Sequence, residues 1–230
     1  MKKKILAIIP ARGGSKGLKN KNLRRIGNNS LTSLAIKTCK KVKLIDRIFV
    51  STDSKVIAKE SRVNGVQVPF LRSKEISGDN VPSIKVIYKT LKLIEKFYKE
   101  KFNIILLIEP TSPLRLSKDI ETCIKKFKKF NYDTLWSVSE VDSKFHPLKQ
   151  LAICKKKLTL YEKKGEKIYA RQQLGSTYLR NGVCYIFSRK TILKDKKLMG
   201  KKSGFHLVKS PQISIDKLSD LIYARKMKKF

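Results

Sequence analysis

The chain has 230 residues, 41% hydrophobic and 31% charged, a length and composition that hold one core-forming domain and exclude disorder as the main state. Its 54 Lys and Arg against 18 Asp and Glu give a formal charge of +36, which by itself points to nucleic acid, an anionic membrane or a polyanionic substrate. Only 11 of the 54 are Arg, the residue favoured for bidentate phosphate and base recognition, so the excess reads as lysine usage more than as a nucleic-acid surface.

The first element is a strand over Lys4 to Pro10. The lysine run from Lys2 to Lys4 and the apolar residues after it imitate a secretory leader, but Pro10 and Arg12 cut the apolar part short, and a core strand is the better reading. Leu31, Leu34, Ala35, Thr38 and Val42 then recur at helical spacing ahead of a strand at Arg47 to Ser51. A helix over Val56 to Val63, a strand at Gly65 to Pro69, a helix over Ile84 to Phe97 and a strand at Asn103 to Ile108 follow. The series continues with a helix over Ile120 to Phe127, a strand at Thr134 to Ser139, a strand at Val183 to Phe187 and a last helix over Leu218 to Met227. Strands alternating with helices predict an α/β fold of Rossmann-like kind, a mostly parallel sheet flanked by helices.

The alternation breaks at about 141–179, where short strands at Leu148 to Ile153 and Leu158 to Tyr161 form a β arm, a device for self-association or a lid. No linker or internal repeat divides 1–230, which is taken as one domain. No apolar run approaches the about 18 residues of a membrane span. The four cysteines are scattered without metal-ligand spacing, so the expectation is a protein of the reducing cytoplasm.

The strongest chemical signal is the end of the first strand, Pro10-Ala11-Arg12-Gly13-Gly14-Ser15-Lys16-Gly17, continuing to Lys21-Asn22. A buried strand running into a glycine-rich loop with three cations offers main-chain N–H groups and positive charge to phosphates. It is neither a Gly-Lys-Ser/Thr phosphate loop nor a Gly-x-Gly-x-x-Gly dinucleotide motif.

This segment resembles the nucleotide-binding signature of the acylneuraminate cytidylyltransferases, the CMP-sialic acid synthetases and their legionaminic and pseudaminic relatives. The likeness continues in order through Val50-Ser51-Thr52-Asp53, Val68-Pro69-Phe70-Leu71-Arg72, Gly78-Asp79-Asn80, Pro110-Thr111-Ser112-Pro113-Leu114-Arg115, Ser137-Val138-Ser139-Glu140, Arg171-Gln172-Gln173, Arg180-Asn181-Gly182 and Ile215-Asp216. The resemblance implies an enzyme that joins a nonulosonic acid to CTP, releasing pyrophosphate and leaving a CMP-sugar for surface glycans. It also implies a homodimer.

On that resemblance Arg12, Lys16 and Lys21 neutralise the triphosphate and the leaving pyrophosphate, because nucleotidyl transfer relies on positioning and electrostatics. Ala11, Gly13, Gly14, Ser15 and Asn22 complete the nucleotide loop, and Arg72, Asn80 and Ser83 belong to the segment that closes over the cytosine. As plain sequence, Asn80 and Ser83 equally suit a turn and a helix cap, and Asp53 suits the cap of the second helix better than a ribose contact. Glu109, Thr111, Ser112, Arg171 and Tyr178 fall at sugar-binding positions. Family members usually carry Gln where this chain has Glu109, so the carboxylate meets either a different sugar substituent or a neutralising neighbour such as Arg115. Arg171 sits in the arm, where it reaches a sugar carboxylate, in the partner subunit among the options, or is a surface cation. Tyr178 walls the sugar pocket or belongs to the core. His146-Pro147 is given no catalytic role.

Triphosphates arrive with Mg²⁺, which takes one or two carboxylates besides phosphate and water. The family pattern Asp-Ile-Asp is Ser214-Ile215-Asp216 here, so Asp216 is the expected metal residue, with less charge beside it, and it also suits the cap of the last helix. The competing functions are a CMP-Kdo synthetase-like enzyme, a catalytically weakened CTP-binding relative, and a polyanion- or nucleic-acid-binding protein. No clustering of Arg and aromatic residues supports the last, and neither a specific nucleic acid nor a membrane is expected as partner.

Overall fold

The computed structural model describes residues 3–227; Lys2 of the N-terminal lysine run and the last three residues lie outside them. The strands are β1 (Ile5–Pro10), β2 (Arg25–Ile26), β3 (Asn29–Ser30), β4 (Arg47–Ser51), β5 (Ile104–Leu107), β6 (Thr134–Glu140), β7 (Leu151–Cys154), β8 (Lys157–Leu160), β9 (Tyr178–Ser188) and β10 (Ser203–Leu207). The helices are α1 (Leu31–Lys40), α2 (Lys55–Val63), α3 (Ser83–Tyr98), α4 (Ser117–Phe130) and α5 (Leu218–Met227). One six-stranded sheet runs in the order β10-β6-β9-β5-β1-β4. β1 pairs parallel with β4 and β5, and β10 parallel with β6, whereas β9 runs antiparallel between β5 and β6.

β1 is buried on both faces, and its period of two divides the core. Ile5, Ala7 and Ile9 pack with Ala35, Ile36, Ile57, Ala58, Ile120 and Ile124 from α1, α2 and α4. Leu6 and Ile8 face the opposite layer with Ile87, Leu91 and Ile94 of α3 and Phe102, Phe187 and Ile192. Helices thus cover both faces, which is why the central strands read as continuous apolar runs. A third cluster gathers Leu18 of the glycine-rich loop, Ile26, Leu31 and Leu34 with Ile215 and Leu221.

Two expectations change. Gly65 to Pro69 is an extended segment and not a strand: the Val66 N–H donates to Ser61 O, the Val68 carbonyl accepts from Arg62, and Pro69 has no N–H to give, so little is left for a ladder. β4 is therefore the sheet edge. β10 went unread because it has no β-branched run; Gly204 is required there, since a Cβ would stand 2.2 Å from the Tyr132 ring.

The arm is a two-stranded hairpin, β7 with β8, turned by Lys155 and Lys156 at φ 47° and 63°, with one-turn helices around it. The expected first arm strand begins at Leu151 and not at Leu148, because Leu148 lies in a one-turn helix whose N-terminus is capped by His146 Nδ1, accepting from Leu148 N at 3.1 Å. His146 is thus structural. Among the described residues no helix is long and apolar enough to cross a membrane.

Candidate active site

The chain passes from β1 to the edge strand β4 and then back to β5 on the other side of β1, so the connections diverge at the carboxyl ends of β1 and β5. Open α/β sheets bind ligands at such a point. A cavity of about 380 Å³ lies there, lined by Pro10, Arg12, Lys21 and Asn22 after β1, Glu109, Pro110 and Thr111 after β5, and Arg72, Gly78, Asp79 and Ser83. Ser214 and Asp216 reach it from the chain's far end, and Ile76, Val81, Val86 and Ile87 give it an apolar wall.

The glycine-rich loop is held by its main chain. Ala11 N donates to Ser51 O at 2.9 Å, Gly13 N to Asp53 Oδ1 at 2.8 Å, and Asn22 Nδ2 to Arg12 O at 3.0 Å. Asp53 therefore ties the loop to β4, and the cap of α2 is Ser54, whose Oγ accepts from Ile57 N. Gly17 is needed for close approach: a Cβ would lie 2.7 Å from the Asp216 carbonyl. Leu18 and Ile215 anchor the two sides of that contact in the third apolar cluster.

The three loop cations already hold carboxylates. Arg12 and Lys16 both pair with Asp79, Lys16 at 3.1 Å, and their hydrogen bonds, that of Lys16 foremost, hold the Asp79 carboxyl below the usual range. Lys21 Nζ lies 2.9 Å from Asp216 Oδ1, and Ser214 Oγ is 3.5 Å from Asp216 Oδ2. The cap of α5 is Asp220, whose Oδ2 accepts from Asp216 N and Lys217 N, leaving the Asp216 carboxylate to the cavity. Asp216 and Ser214 present hard oxygen donors, which suits Mg²⁺. Among the described residues no three His, Cys, Asp or Glu side chains gather as a metal cage.

Arg72 is mostly buried, and its guanidinium donates to Ser51 O, to Ser51 Oγ at 3.2 Å and to Ile76 O at 3.4 Å. Desolvation lowers its pKa, Asp53 opposes that, and Arg12 adds to it. Ser83 opens α3, whose N-terminus faces the cavity with its partial positive charge. Arg115 is wholly buried, donating through Nη2 to the main-chain carbonyls of Glu109 and Gly182. Burial pushes the Glu109 carboxyl up, and Arg115, Arg180 and Lys21 pull it back.

Of the residues expected from sequence, Arg12, Lys21, Asn22, Arg72, Ser83, Glu109, Thr111 and Asp216 line one cavity. Lys16 stands at its rim through Asp79, while Asn80 is exposed on the preceding turn. Ala11 is buried behind the loop, and Gly13, Gly14 and Ser15 form the loop outside the cavity wall. Three expected sugar contacts are placed elsewhere within the chain. Ser112 is buried with its hydroxyl donating to Asn181 O at 2.7 Å, because the loop after β5 is stitched to the bulge in β9. Arg171 borders a separate depression with Glu140, Asp142 and His146, because the arm carries it away from the sheet. Tyr178 is exposed at the start of β9, facing the Phe205 ring at 6.5 Å. The sequence reading missed Asp79 as the partner of the loop cations, Asp220 as a cap and the apolar wall; the spacing of Ile76, Val81, Val86 and Ile87 across a turn and a helix start was the one signal available.

The comparisons agree with this geometry. A sequence profile described as cytidylyltransferase matches residues 6–228. The chain is 32% identical over 204 residues to post-translational flagellin modification protein B of Campylobacter coli, covering 89% of this chain and 86% of that one. It is 30% identical over 213 residues to CMP-N,N'-diacetyllegionaminic acid synthase of Campylobacter jejuni, covering 92% and 89%. Its fold superposes on a CMP:2-keto-3-deoxy-manno-octonic acid synthetase solved with CTP, with a TM-score of 0.71 at 13% identity, covering 97% and 98%.

Proposed function

The chain belongs to the cytidylyltransferase family, and from that premise we propose that it activates a nonulosonic acid with CTP, releasing pyrophosphate and leaving a CMP-sugar. The observation that carries this is the cavity at the β1/β5 divergence, where Arg12, Lys21 and Arg72 line the wall and Asp216 faces Lys21. The order of the sheet supports one direction for the ligand. Arg72 and the start of α3 lie toward β4, with the apolar wall for the cytosine; Arg12 and Lys21 lie over β1, for the phosphates; Glu109 and Thr111 lie over β5, for the sugar acid.

Attack by the sugar hydroxyl forms an O–P bond at the α-phosphorus and breaks the bond from that phosphorus to the oxygen bridging the β-phosphate, which leaves with the pyrophosphate; the hydroxyl proton passes to solvent. Charge grows on the departing pyrophosphate, and Arg12, Lys16 and Lys21 are the groups that meet it. Asp79 occupies Arg12 and Lys16 as a surrogate anion, so the triphosphate takes its place on them. Asp216, helped by Ser214 Oγ, is the group to hold Mg²⁺, which supplies charge neutralisation on the phosphates. We place the protein in the cytoplasm, a reading supported by four free cysteines. A second copy of the chain is the partner we assign to the arm, which exposes Ile153, Leu158 and Tyr169 (81%, 66% and 87%). In such a pair Arg171 of the partner subunit is free to meet the sugar acid.

The test is pyrophosphate release from CTP and saturating Mg²⁺ with N-acetylneuraminic acid, N,N'-diacetyllegionaminic acid or Kdo. Release with either of the first two is expected. Release with Kdo alone assigns the eight-carbon alternative, and no release with any acid overturns the enzyme reading. Lys21→Ala is expected to lose roughly 10²–10³-fold in kcat, the scale for a lost oxyanion donor, with an unchanged melting curve. Ser214→Asp restores a second carboxylate beside Asp216 and is expected to lower the Mg²⁺ concentration for half-maximal rate; no change would place Ser214 outside the metal's surroundings.

A further inference from the structure

Asp79 stands where an anionic ligand would. It lines the cavity on the turn ahead of α3, and its two oxygens are divided between cations of the glycine-rich loop, Oδ1 on Arg12 Nη1 and Oδ2 on Lys16 Nζ at 3.1 Å. Hydrogen bonds from both cations hold its carboxyl below the usual range, so it is ionised at neutral pH. Little else fixes it. Gly78, Asp79 and Asn80 are exposed; Val81 N donates to Gly78 O at 3.4 Å within the turn, and a Cβ on Gly78 would meet only Val81 Cγ2, at 3.6 Å. Among the described residues no hydrogen bond ties the main chain of this turn to the loop after β1. Buried Ile76 anchors the chain before the turn and α3 resumes after it, so the two ion pairs are what close the turn on the loop.

Two cations bridged by one carboxylate form a site that is already filled. An anion that needs Arg12 and Lys16 binds only when Asp79 has left, and its apparent affinity falls by the fraction of molecules in which the pair is free. The side chains are partly exposed, Lys16 at 87% and Asp79 at 33%, so each pair is weak and the closed turn is favoured only modestly. An anion of two or three linked phosphates outcompetes a single carboxylate, because it brings more charge and more acceptor oxygens to the same donors. A nucleoside monophosphate has one phosphate to place, and with its base against the apolar wall that phosphate need not displace Asp79.

We propose that Asp79 is an internal competitor for the cations of the glycine-rich loop, a specificity-determining residue that holds Arg12 and Lys16 against lone phosphates, yields to linked ones and returns as pyrophosphate departs. This rests on the reading of the cavity as a CTP site and adds a control on it. Asp79 acts on both legs of the cycle, raising the CTP concentration needed for binding and hastening the loss of pyrophosphate from two cations that would otherwise retain it.

The experiment compares the full chain with Asp79→Asn, which keeps the shape and removes the charge, and with Asp79→Ala. Calorimetry with Mg²⁺ gives dissociation constants for CTP, pyrophosphate and CMP, and CMP-sugar formation with added pyrophosphate gives its inhibition constant. Both variants are expected to bind CTP and pyrophosphate roughly three- to tenfold more tightly than the parent and CMP within about twofold, the scale set by partly exposed ion pairs. The pyrophosphate inhibition constant should fall by the same factor. Weaker CTP binding in the variants overturns the inference, since Asp79 would then prepare the loop and not compete for it. An equal gain for CMP also overturns it, because the lost charge would be acting through the field of the cavity and not by vacating Arg12 and Lys16. Constants that stay unchanged for all three ligands do the same, and in each of these cases the functional reading stands. No CTP binding by the parent or either variant removes that reading, and the inference with it.

Discussion

Asp79 shows how one side chain can tie together a cationic loop. It joins Arg12 and Lys16, two cations of the glycine-rich loop that would otherwise repel each other. Lys21 and Asp216 do the same across the cavity, 195 positions apart in the chain. Glu109 is the exception, a part-buried carboxylate with no hydrogen bond of its own among the described residues, and its stability effect has a definite sign. Desolvation raises its folded-state pKa above the unfolded value, with Asp216 adding to this and Arg115, Arg180 and Lys21 opposing it. The neutral form is then favoured by the fold, and the stability it contributes is lost as pH rises through the folded-state value. Glu109→Gln is accordingly expected to melt above the parent at pH 7, the difference closing as pH falls toward about 4.3, the ordinary glutamate value. Thermal melts of both proteins between pH 4 and 7 check this. A variant that melts lower at pH 7 would mean that the carboxylate is paired, not stranded.

At the scale of elements, the arm differs in kind from the sheet. β1 and β5 are buried along their length, while β7 and β8 are exposed at almost every residue. A two-stranded hairpin is marginal in water without a covered face. Leu151, Ile153 and Leu158 leave it with apolar surface and no covering element among the described residues. The homodimer reading predicts that Ile153→Glu converts a dimer to a monomer in light scattering at micromolar concentration, with the sheet's melting transition retained. A parent protein that already scatters as a monomer would remove that role. The helices α1 to α5 fell where the periodicity placed them, and α5 on the expected residues, because each buries one stripe and carries its own cap or turn signal. The segment Gly65 to Pro69 was misread for a physical reason: its apolar residues are buried like a strand's, but its main-chain groups are already bonded to Ser61 and Arg62. Burial pattern and hydrogen-bond pairing are separate properties, and only the first is written in local composition.

For the molecule as a whole, the +36 charge separates into two unequal parts. Arg12, Lys21 and Arg72 face the cavity, and Lys16 its rim. Much of the rest is lysine on exposed helix faces, such as Lys125, Lys128 and Lys129 of α4, where charge keeps a face solvated and specifies no ligand. The sequence by itself determined the α/β class, the alternation of elements and the cations of the glycine-rich loop, since strand period, helix period and glycine placement are local signals. It also flagged Glu109 and Ser214 as departures from the resembled pattern. Only the tertiary structure decided which of these residues meet. Lys21 faces Asp216 because Leu18 and Ile215 share an apolar cluster; Asp79 holds Arg12 and Lys16 because its turn, ahead of α3, stands over the end of β1. Ser112 is bonded to Asn181 O because β9 enters the sheet antiparallel between β5 and β6, bringing Asn181 and Gly182 against the loop after β5. Those contacts join positions tens to hundreds of residues apart, and the order of strands in the sheet, which no local pattern encodes, is what brings them within bonding distance.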